Sequence, residues 1–222
     1  MICLFGGTFD PVHVGHVHAA RTVCDALALD EIRLLLSARP GHRGSPGASV
    51  QQRWDMLRLA CAEDVRLIAD DIEVRRARRV GRPSFTVETL EEVRNGDRGL
   101  VLAWVVGSDA YREITSWHRW REVFELSNLV VLQRPGAPLD LDPELRTRTE
   151  ERQIYSHFSH PAGSVRLLDL PMRDVSATAV RRSLAASSGR SPGTTDPVAD
   201  LLPPAVYTYI KKYHLYGVVS DA

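Results

Sequence analysis

The stretch FGGTFDPVHVGHVHAA, residues 5–20, holds the side chains best suited to chemistry. Two glycines end an apolar run, and His13, His16 and His18 follow at the start of a predicted helix. Histidines at a helix N-terminus can bind a metal, decorate a solvated helix end or donate hydrogen bonds to a phosphate. The rest of the sequence has to decide among these three interpretations.

A metal site is the weakest of the three. Zinc needs three converging protein ligands, and His13 and His16 supply two from one side of the helix end. His18 is expected to point away from them. We therefore predict no protein-bound metal, and the choice lies between a phosphate site and simple decoration of the helix.

The glycines around the histidines favour phosphate. Gly6 and Gly7 let the backbone approach a ligand closely, and Gly15 keeps the helix entrance free of side-chain bulk. The unpaired N–H groups and the dipole of a helix N-terminus attract anions. The stretch has neither the G-x-x-x-x-G-K-[ST] spacing nor the G-x-G-x-x-G spacing, so it is a different kind of phosphate loop.

The elements that must position this loop alternate between strand and helix. Apolar runs predict strands at 1–5, 31–37, 65–74, 99–109, 129–136 and 165–172. Helical spacing predicts helices at 15–29, 50–62, 84–95, 110–114, 120–127, 176–187 and 203–217. Ser49 and Ser176 are the expected caps of two of these helices, Ser84 or Thr86 lies near the start of a third, and Pro203 and Pro204 begin the last one.

This alternation predicts one α/β domain over 1–222, a doubly wound and mostly parallel sheet with helices on both faces. Ligands of such sheets bind beyond the carboxyl ends of the strands, where residues 6–16 are expected to lie. The polar stretch 137–163 is predicted to be irregular, an exposed insertion, and 188–199 a mobile loop.

Composition excludes several classes of protein. The 222 residues carry 28 Lys+Arg and 28 Asp+Glu, so no net field attracts a nucleic acid or an anionic membrane. The Arg-rich segment at 75–82 is expected to be a solvated face rather than a nucleic-acid site. No apolar run is long enough to span a membrane, and the 3 cysteines lack C-x-x-C spacing. We predict a cytoplasmic protein, and the sequence leaves open whether it forms homo-oligomers.

The histidine stretch resembles the G-x-F-D-P-x-H-x-G-H signature of the nucleotidyltransferase superfamily. Seven positions match: Gly7, Phe9, Asp10, Pro11, His13, Gly15 and His16. VSATAVR at 175–181 is similar to the superfamily's second motif, I-S-S-T-x-x-R, with Ala177 in place of Ser. The resemblance implies a Rossmann-like nucleotidyltransferase fold in which the two motifs grip the triphosphate of ATP from two sides.

The middle of the chain resembles the bacterial nicotinate-nucleotide adenylyltransferases. GRPSFTVETL is similar to their R-x-S-Y-T-x-x-T-L segment, with Phe85 in place of Tyr. WVVGSDAYREITSWHRWREV is similar to a second segment, with Ser108 in place of Ala, and the C-terminal LPPAVYTYIKKYHLYG also matches. Pantetheine-phosphate adenylyltransferases share the first and last motifs but not the middle ones.

The resemblance implies a role for each matching residue. His16 would contact the α-phosphate, and His13 and Arg181 the β/γ side. The implied ATP-binding residues are Gly6, Gly7, Thr8, Phe9, Asp10, Gly15, Arg43, Gly107, Asp109, Arg134, Ser176 and Thr178. Arg43 stands where the family usually has Lys.

The implied residues for the mononucleotide are Phe85, Thr86, Asp109 and Trp117. Trp117 would stack on the pyridine ring, and the helix entrance at Phe85 and Thr86 would receive the carboxylate. Without the resemblance, Trp117 could equally pack between two short helices and Asp109 could cap one.

The implied reaction joins ATP and nicotinate mononucleotide into deamido-NAD and pyrophosphate, with Mg²⁺ carried by ATP. Two alternatives stay open: another small-molecule adenylyl- or cytidylyltransferase, such as a pantetheine-phosphate enzyme, or a nucleotide-binding protein without catalysis. The retained histidines and Arg181 argue against the second alternative.

Overall fold

The computed structural model describes residues 1–39, 46–81, 83–133, 138–169, 175–187 and 196–218. The described residues form six strands: β1 (Ile2–Gly7), β2 (Ile32–Leu36), β3 (Leu67–Asp70), β4 (Leu102–Gly107), β5 (Asn128–Gln133) and β6 (Val165–Asp169). They pair in parallel in one sheet of order β3-β2-β1-β4-β5-β6. This order is that of a doubly wound Rossmann-like sheet, which confirms the predicted fold class.

Helices connect the strands. Those of the described residues are α1 (Val14–Leu27), α2 (Val50–Cys61), α3 (Ile72–Val80), α4 (Thr86–Arg94), α5 (Ser108–Arg112), α6 (Trp120–Leu126), α7 (Pro143–Arg152), α8 (Ala177–Ser187) and α9 (Pro204–Lys212). The Ser49 hydroxyl caps α2 by accepting from the N–H of Gln52, and Pro204 begins α9, as predicted.

Two hydrophobic cores cover the two faces of the sheet, because alternate residues of each buried strand point to opposite sides. Cys3 and Phe5 of β1 pack on one side, in a core completed by α1, α2, α8 and α9. Leu4, between them in sequence, packs on the other side with α4, α5, α6 and α7. β4 and β5 are buried along almost their whole length, as their continuous apolar runs predicted.

The prediction of a strand over 65–74 is wrong at its C-terminal end. β3 stops at Asp70, whose carboxylate accepts a hydrogen bond from the N–H of Ile72 at 2.9 Å. That contact helps to start α3 at once, so the arginine-rich segment is helical up to Val80. Because the strand ends four residues earlier than predicted, α3 begins at the carboxyl edge of the sheet.

The prediction of an irregular segment at 137–163 is wrong over Pro143–Arg152, which forms α7. Asp142 caps this helix by accepting from the N–H of Leu145, and Leu141 and Leu145 are buried in the second core. Most of the helix is polar, which hid it from a search for apolar periodicity. Whether the segment is an insertion stays a prediction.

The predicted mobile loop at 188–199 lies outside the described residues up to 195. Its last part is anchored: Val198 is buried, and Asp196 accepts hydrogen bonds from the N–H of Val198 and from the Tyr207 hydroxyl of α9. The mobility of the loop itself stays a prediction.

Candidate functional site

A cleft of about 560 Å³ opens at the carboxyl ends of β1 and β4, where the strand order changes direction. This switch point is where doubly wound sheets bind ligands. The histidine signature and the VSATAVR motif meet here with the segments that hold Thr86 and Trp117. The predicted site residues that line the cleft are Gly6, Gly7, Thr8, Phe9, Asp10, Thr86, Gly107, Trp117, Ser176, Thr178, His16 and Arg181.

The glycine pair is needed for a reason that the sequence does not reveal. A Cβ added at Gly6 would lie 2.4 Å from the indole ring of Trp104, and one at Gly7 would lie 2.8 Å from the ring of Phe9. The rings pack directly against the end of β1, so side chains are excluded there by the protein itself. Gly107, on the neighbouring strand, has open space beside it, which suits the close approach of a ligand.

The two histidines of the signature are stacked, with ring centroids 3.7 Å apart and 24° between planes. The backbone N–H of His13, the residue that begins α1, donates to Nδ1 of His16 at 3.3 Å. Because Nδ1 of His16 accepts, the neutral ring carries its proton on Nε2. His16 therefore presents an N–H donor from the wall of the cleft.

His13 lies beneath His16 and does not line the cleft. It is 4% exposed, and burial lowers the pKa of its imidazole to about 4, so the ring is neutral at pH 7. Its Nδ1 is buried without a hydrogen-bond partner. His18 is likewise absent from the cleft lining, as expected. In the described segments no three His, Cys, Asp or Glu side chains form a group that could hold a metal.

Asp10 of the signature is a structural carboxylate rather than a group aimed at a ligand. Its Oδ2 accepts from the N–H of Gly47 at 2.7 Å, and its Oδ1 accepts from the N–H of Ala48 at 3.1 Å and from the Tyr216 hydroxyl at 2.7 Å. Arg181 donates from Nη1 to the Asp10 carbonyl at 2.6 Å. Asp10 thus joins the β1–α1 loop to the entrance of α2, to α8 and to the C-terminal segment.

The second motif begins α8 as predicted. The Ser176 hydroxyl accepts from the N–H of Ala179 at 3.1 Å and so caps the helix. Arg181, one turn along, also donates to the Thr178 hydroxyl at 3.3 Å. Its guanidinium is therefore held between the two motifs, at the cleft wall.

Arg53 was missed by the sequence reasoning, although it is 1% exposed and central to the site. Its guanidinium donates to four backbone carbonyls, those of Thr8 (2.9 Å), Ser37 (2.7 Å), Ala38 (3.0 Å) and Ala48 (3.3 Å). It therefore ties together three loops that surround the cleft. Its position on the buried face of α2, in line with Met56 and Leu57, was the signal that could have revealed it.

We expect Arg53→Met to lower the free energy of unfolding by about 3 kcal/mol or more, because it leaves buried carbonyls without donors. Urea denaturation measures this loss. Arg58→Met, an exposed position on the same helix, is the control and should change the free energy by less than about 0.5 kcal/mol. Equal stability of the two variants would contradict the tying role of Arg53.

The other end of the cleft holds Thr86 and Trp117. Thr86 is the first residue of α4, whose N-cap is Phe85, without a side-chain cap. This agrees with the prediction of a helix that starts near Ser84 or Thr86, and Phe85 offers its first-turn N–H groups no side-chain acceptor. Phe85 does not line the cleft; its ring packs on His118, with centroids 4.5 Å apart.

Several predicted residues are not brought to the cleft. The Asp109 side chain is 79% exposed and forms an ion pair with Arg112, one turn along α5. Gly15 is buried within α1. Arg43 and Arg134 lie outside the described residues, so their predicted ATP contacts stay predictions.

The arginines of α3 are largely paired with acidic side chains. Arg75 lies 3.2 Å from Asp71, and Arg76 lies 3.1 Å from Glu92, which also lies 3.8 Å from Arg79. Arg75 and Arg79 are exposed, in agreement with a solvated face, whereas the Arg76 side chain is only 11% exposed and lies against α4. None of the helices in the described segments combines the length and apolar content that crossing a membrane requires.

Comparison with known families agrees with this geometry. Residues 4–183 match the family model described as Cytidylyltransferase-like. The chain belongs to this family. Two curated relatives share its full length, each described as a "Probable nicotinate-nucleotide adenylyltransferase". The protein of Chromobacterium violaceum is 45% identical (96% of this chain, 97% of the relative), and that of Stenotrophomonas maltophilia is 43% identical (96% and 95%). Within the family, the chain therefore groups with the nicotinate-nucleotide adenylyltransferases.

A solved structure has the same fold. The Plasmodium falciparum nicotinic acid mononucleotide adenylyltransferase complexed with NaAD aligns with a TM-score of 0.73 over 98% of both chains, at 17% identity. A second structure of that enzyme, complexed with APC, has a TM-score of 0.71. At this identity the likeness supports the cytidylyltransferase-like fold alone.

Proposed function

We propose that this protein transfers the adenylyl group of ATP to nicotinate mononucleotide, forming deamido-NAD and releasing pyrophosphate. One observation carries the proposal: a single cleft joins both phosphate-binding motifs to the Thr86 and Trp117 end. The full-length similarity to the nicotinate-nucleotide adenylyltransferases supports the same substrates.

The reaction needs little covalent help from the protein. A phosphate monoester has a second pKa of about 6, so the attacking oxygen of the mononucleotide is largely ionised at pH 7. Catalysis then consists of aligning this oxygen with the α-phosphorus and stabilising the charge that builds up on the phosphates. A cleft with donors and helix entrances but without a nucleophilic side chain suits that task.

His16 is the proposed donor to the α-phosphate, through Nε2. Arg181 and the α8 entrance at Ser176 and Thr178 bind the β/γ side. The resemblance to the superfamily implies a contact of His13 with the same phosphates. Because its ring lies under His16, we instead propose that His13 acts through His16, by holding that ring with its backbone N–H and its stacked imidazole.

At the acceptor end, Trp117 stacks on the pyridine ring and the first turn of α4 receives its carboxylate. Gly107 allows the nucleotide to approach β4. Asp109 is exposed and paired, so a contact with a ribose hydroxyl requires it to leave Arg112. We also propose that the protein acts in the cytoplasm and can form homo-oligomers.

The proposed metal is Mg²⁺ carried by ATP, which would offset the negative charge of the triphosphate. The residues of the cleft fit a metal that is held by ATP rather than by the protein. Asp10, the carboxylate on the phosphate side, already accepts hydrogen bonds from Gly47, Ala48 and Tyr216. The phosphates themselves then supply the oxygen ligands.

We expect activity to require added Mg²⁺, and the purified protein to carry no stoichiometric zinc. Elemental analysis measures the zinc content. A titration with EDTA followed by Mg²⁺ measures the metal requirement of the activity. One tightly held zinc per chain that disappears in His13→Ala would overturn this account and restore the metal interpretation of the histidines.

The proposed function is tested by product identity. Incubation with ATP, Mg²⁺ and nicotinate mononucleotide should give pyrophosphate and deamido-NAD in equal amounts, measured by coupled pyrophosphate detection and mass spectrometry. Release of phosphate or AMP without a dinucleotide would contradict adenylyl transfer.

A further inference from the structure

Glu73 is a buried acid in the wall of the cleft that adenylyl transfer does not use. It lies in the first turn of α3, is 5% exposed and lines the same cleft as Thr86 and Trp117. Buried carboxyl groups are uncommon unless they have a partner. A group of this kind at a substrate site calls for a specific explanation.

One hydroxyl bonds this carboxyl, and two more line the same cleft. Thr89 of α4 donates from Oγ1 to Oε1 of Glu73 at 2.9 Å. Ser37, just after β2, and Ser84, before α4, line the cleft together with Glu73. The Ser84 hydroxyl is itself buried and has no partner of normal geometry.

The hydroxyl of Thr89 also connects Glu73 to the entrance of α4. It lies 3.4 Å from the carbonyl of Phe85, the N-cap residue. In addition, the N–H of Ser84 donates to the carbonyl of Arg39 at 3.2 Å, next to the end of β2. Glu73 therefore sits at the point where β2, the Ser84 segment and the first turn of α4 meet.

We propose that Glu73 is a positioning residue for recognition of the pyridine substituent: it holds these three segments in the one arrangement that sets where Thr86 meets the substrate. This inference rests on the proposed function. Glu73 lies outside the signature motifs, and this positioning role explains why an acid is buried at this end of the cleft.

The charge of Glu73 matters to the same recognition. An ionised carboxylate in this wall would repel a pyridine carboxylate at the α4 entrance, whereas a carboxamide carries no charge to repel. Because burial raises the pKa of Glu73, the neutral form persists to higher pH than for an exposed glutamate. The neutral form is the one that suits the acid substrate.

Other charged groups around Glu73 are fixed by partners of their own. Arg76, on the same helix, donates to the Thr89 hydroxyl at 2.6 Å and lies 3.1 Å from Glu92 and 3.9 Å from Glu88 of α4. At the β3 end, Asp70 lies 3.7 Å from Arg33 and Asp71 lies 3.2 Å from Arg75. Across the cleft, the charged or titratable lining groups are Asp10, His16 and Arg181.

The test compares Glu73→Gln and Glu73→Ala. The glutamine has the same shape as the neutral acid, with one acceptor and one donor end, and alanine removes both. We expect Glu73→Ala to raise the KM for nicotinate mononucleotide by about 10-fold or more, with kcat and the KM for ATP changed by less than about 3-fold. Glu73→Gln should restore the KM to within about 3-fold of the unmodified enzyme.

A pH series gives a readout that a purely structural role would not move. The ratio of kcat/KM for the acid to that for the amide mononucleotide cancels pH effects shared by both substrates. In the unmodified enzyme the ratio should fall by at least about 3-fold as the pH rises from the lowest to the highest value at which the enzyme stays folded, and in Glu73→Gln it should stay constant. This readout decides the question even when the alanine variant does not fold.

Three results would overturn the inference. They are an equal rise of the KM for nicotinate mononucleotide in the glutamine and alanine variants, an unchanged KM in the alanine variant, and the same pH dependence of the acid-to-amide ratio with and without Glu73. Glu92→Gln, on the outer side of Arg76, is the matched control and should leave both KM values within about 2-fold. Failure of the proposed function is distinguishable, because the unmodified enzyme would then form no dinucleotide with either mononucleotide.

Discussion

His16→Ala should lower kcat by about 100-fold or more while weakening ATP binding far less, since it removes a donor whose value is greatest in the transition state. The reason is geometric. The N–H of His13 donates to Nδ1 of His16, so the neutral His16 ring carries its proton on Nε2, the atom that we propose donates to the α-phosphate. Steady-state kinetics give kcat, and calorimetry with a non-hydrolysable ATP analogue gives the affinity.

The control for this variant is His18→Ala, on the same helix but outside the cleft lining. It should keep kcat within about 2-fold, and its melting temperature reports any general damage to α1. Near-normal turnover of His16→Ala would contradict the phosphate role and restore the interpretation of the histidines as helix decoration.

The second large effect concerns the choice between acid and amide. Nicotinate mononucleotide should be preferred over nicotinamide mononucleotide by at least about 10-fold in kcat/KM, because each buried group left unpaired costs about 1–3 kcal/mol. The entrance of α4 offers N–H groups and the Thr86 hydroxyl, all of which can donate to a carboxylate. An amide would turn its own NH₂ toward some of these donors.

Thr86→Val should reduce this preference, since it removes one donor and keeps the shape of the side chain. Trp117→Ala should weaken both substrates equally, because stacking on the ring does not depend on its substituent. Measured near pH 7, equal rates with the two mononucleotides in the unmodified enzyme would refute the assignment of this pocket, even where adenylyl transfer itself is found.

Local patterns predicted the six strands, most of the helices and the residues at the β1 end of the cleft. The apolar strand β1, the glycine pair and the first turn of α1 are contiguous in the sequence, so their spacing alone places His16 beside the sheet. The caps of α2 and α8 are local for the same reason. Such features are determined by residues a few positions apart.

Features that depend on distant partners could not be predicted in the same way. Arg53 binds backbone carbonyls, which have no signature in a sequence, and Glu73 accepts from the Thr89 hydroxyl of α4 only after folding. Asp109 was expected in the cleft, but in a helix as short as α5 the sequence does not determine which way one side chain faces. α7 docks through Leu141 and Leu145, too few apolar residues to show a helical period.

The most direct test of the central claim measures pyrophosphate release across a panel of substrates. The acceptors are nicotinate mononucleotide, nicotinamide mononucleotide and phosphopantetheine, each with ATP–Mg²⁺, and CTP replaces ATP in a parallel series. We predict the highest kcat/KM for ATP with nicotinate mononucleotide, by at least about 10-fold over every other pair. A higher value with phosphopantetheine or with CTP, or no pyrophosphate with any pair, would contradict the account.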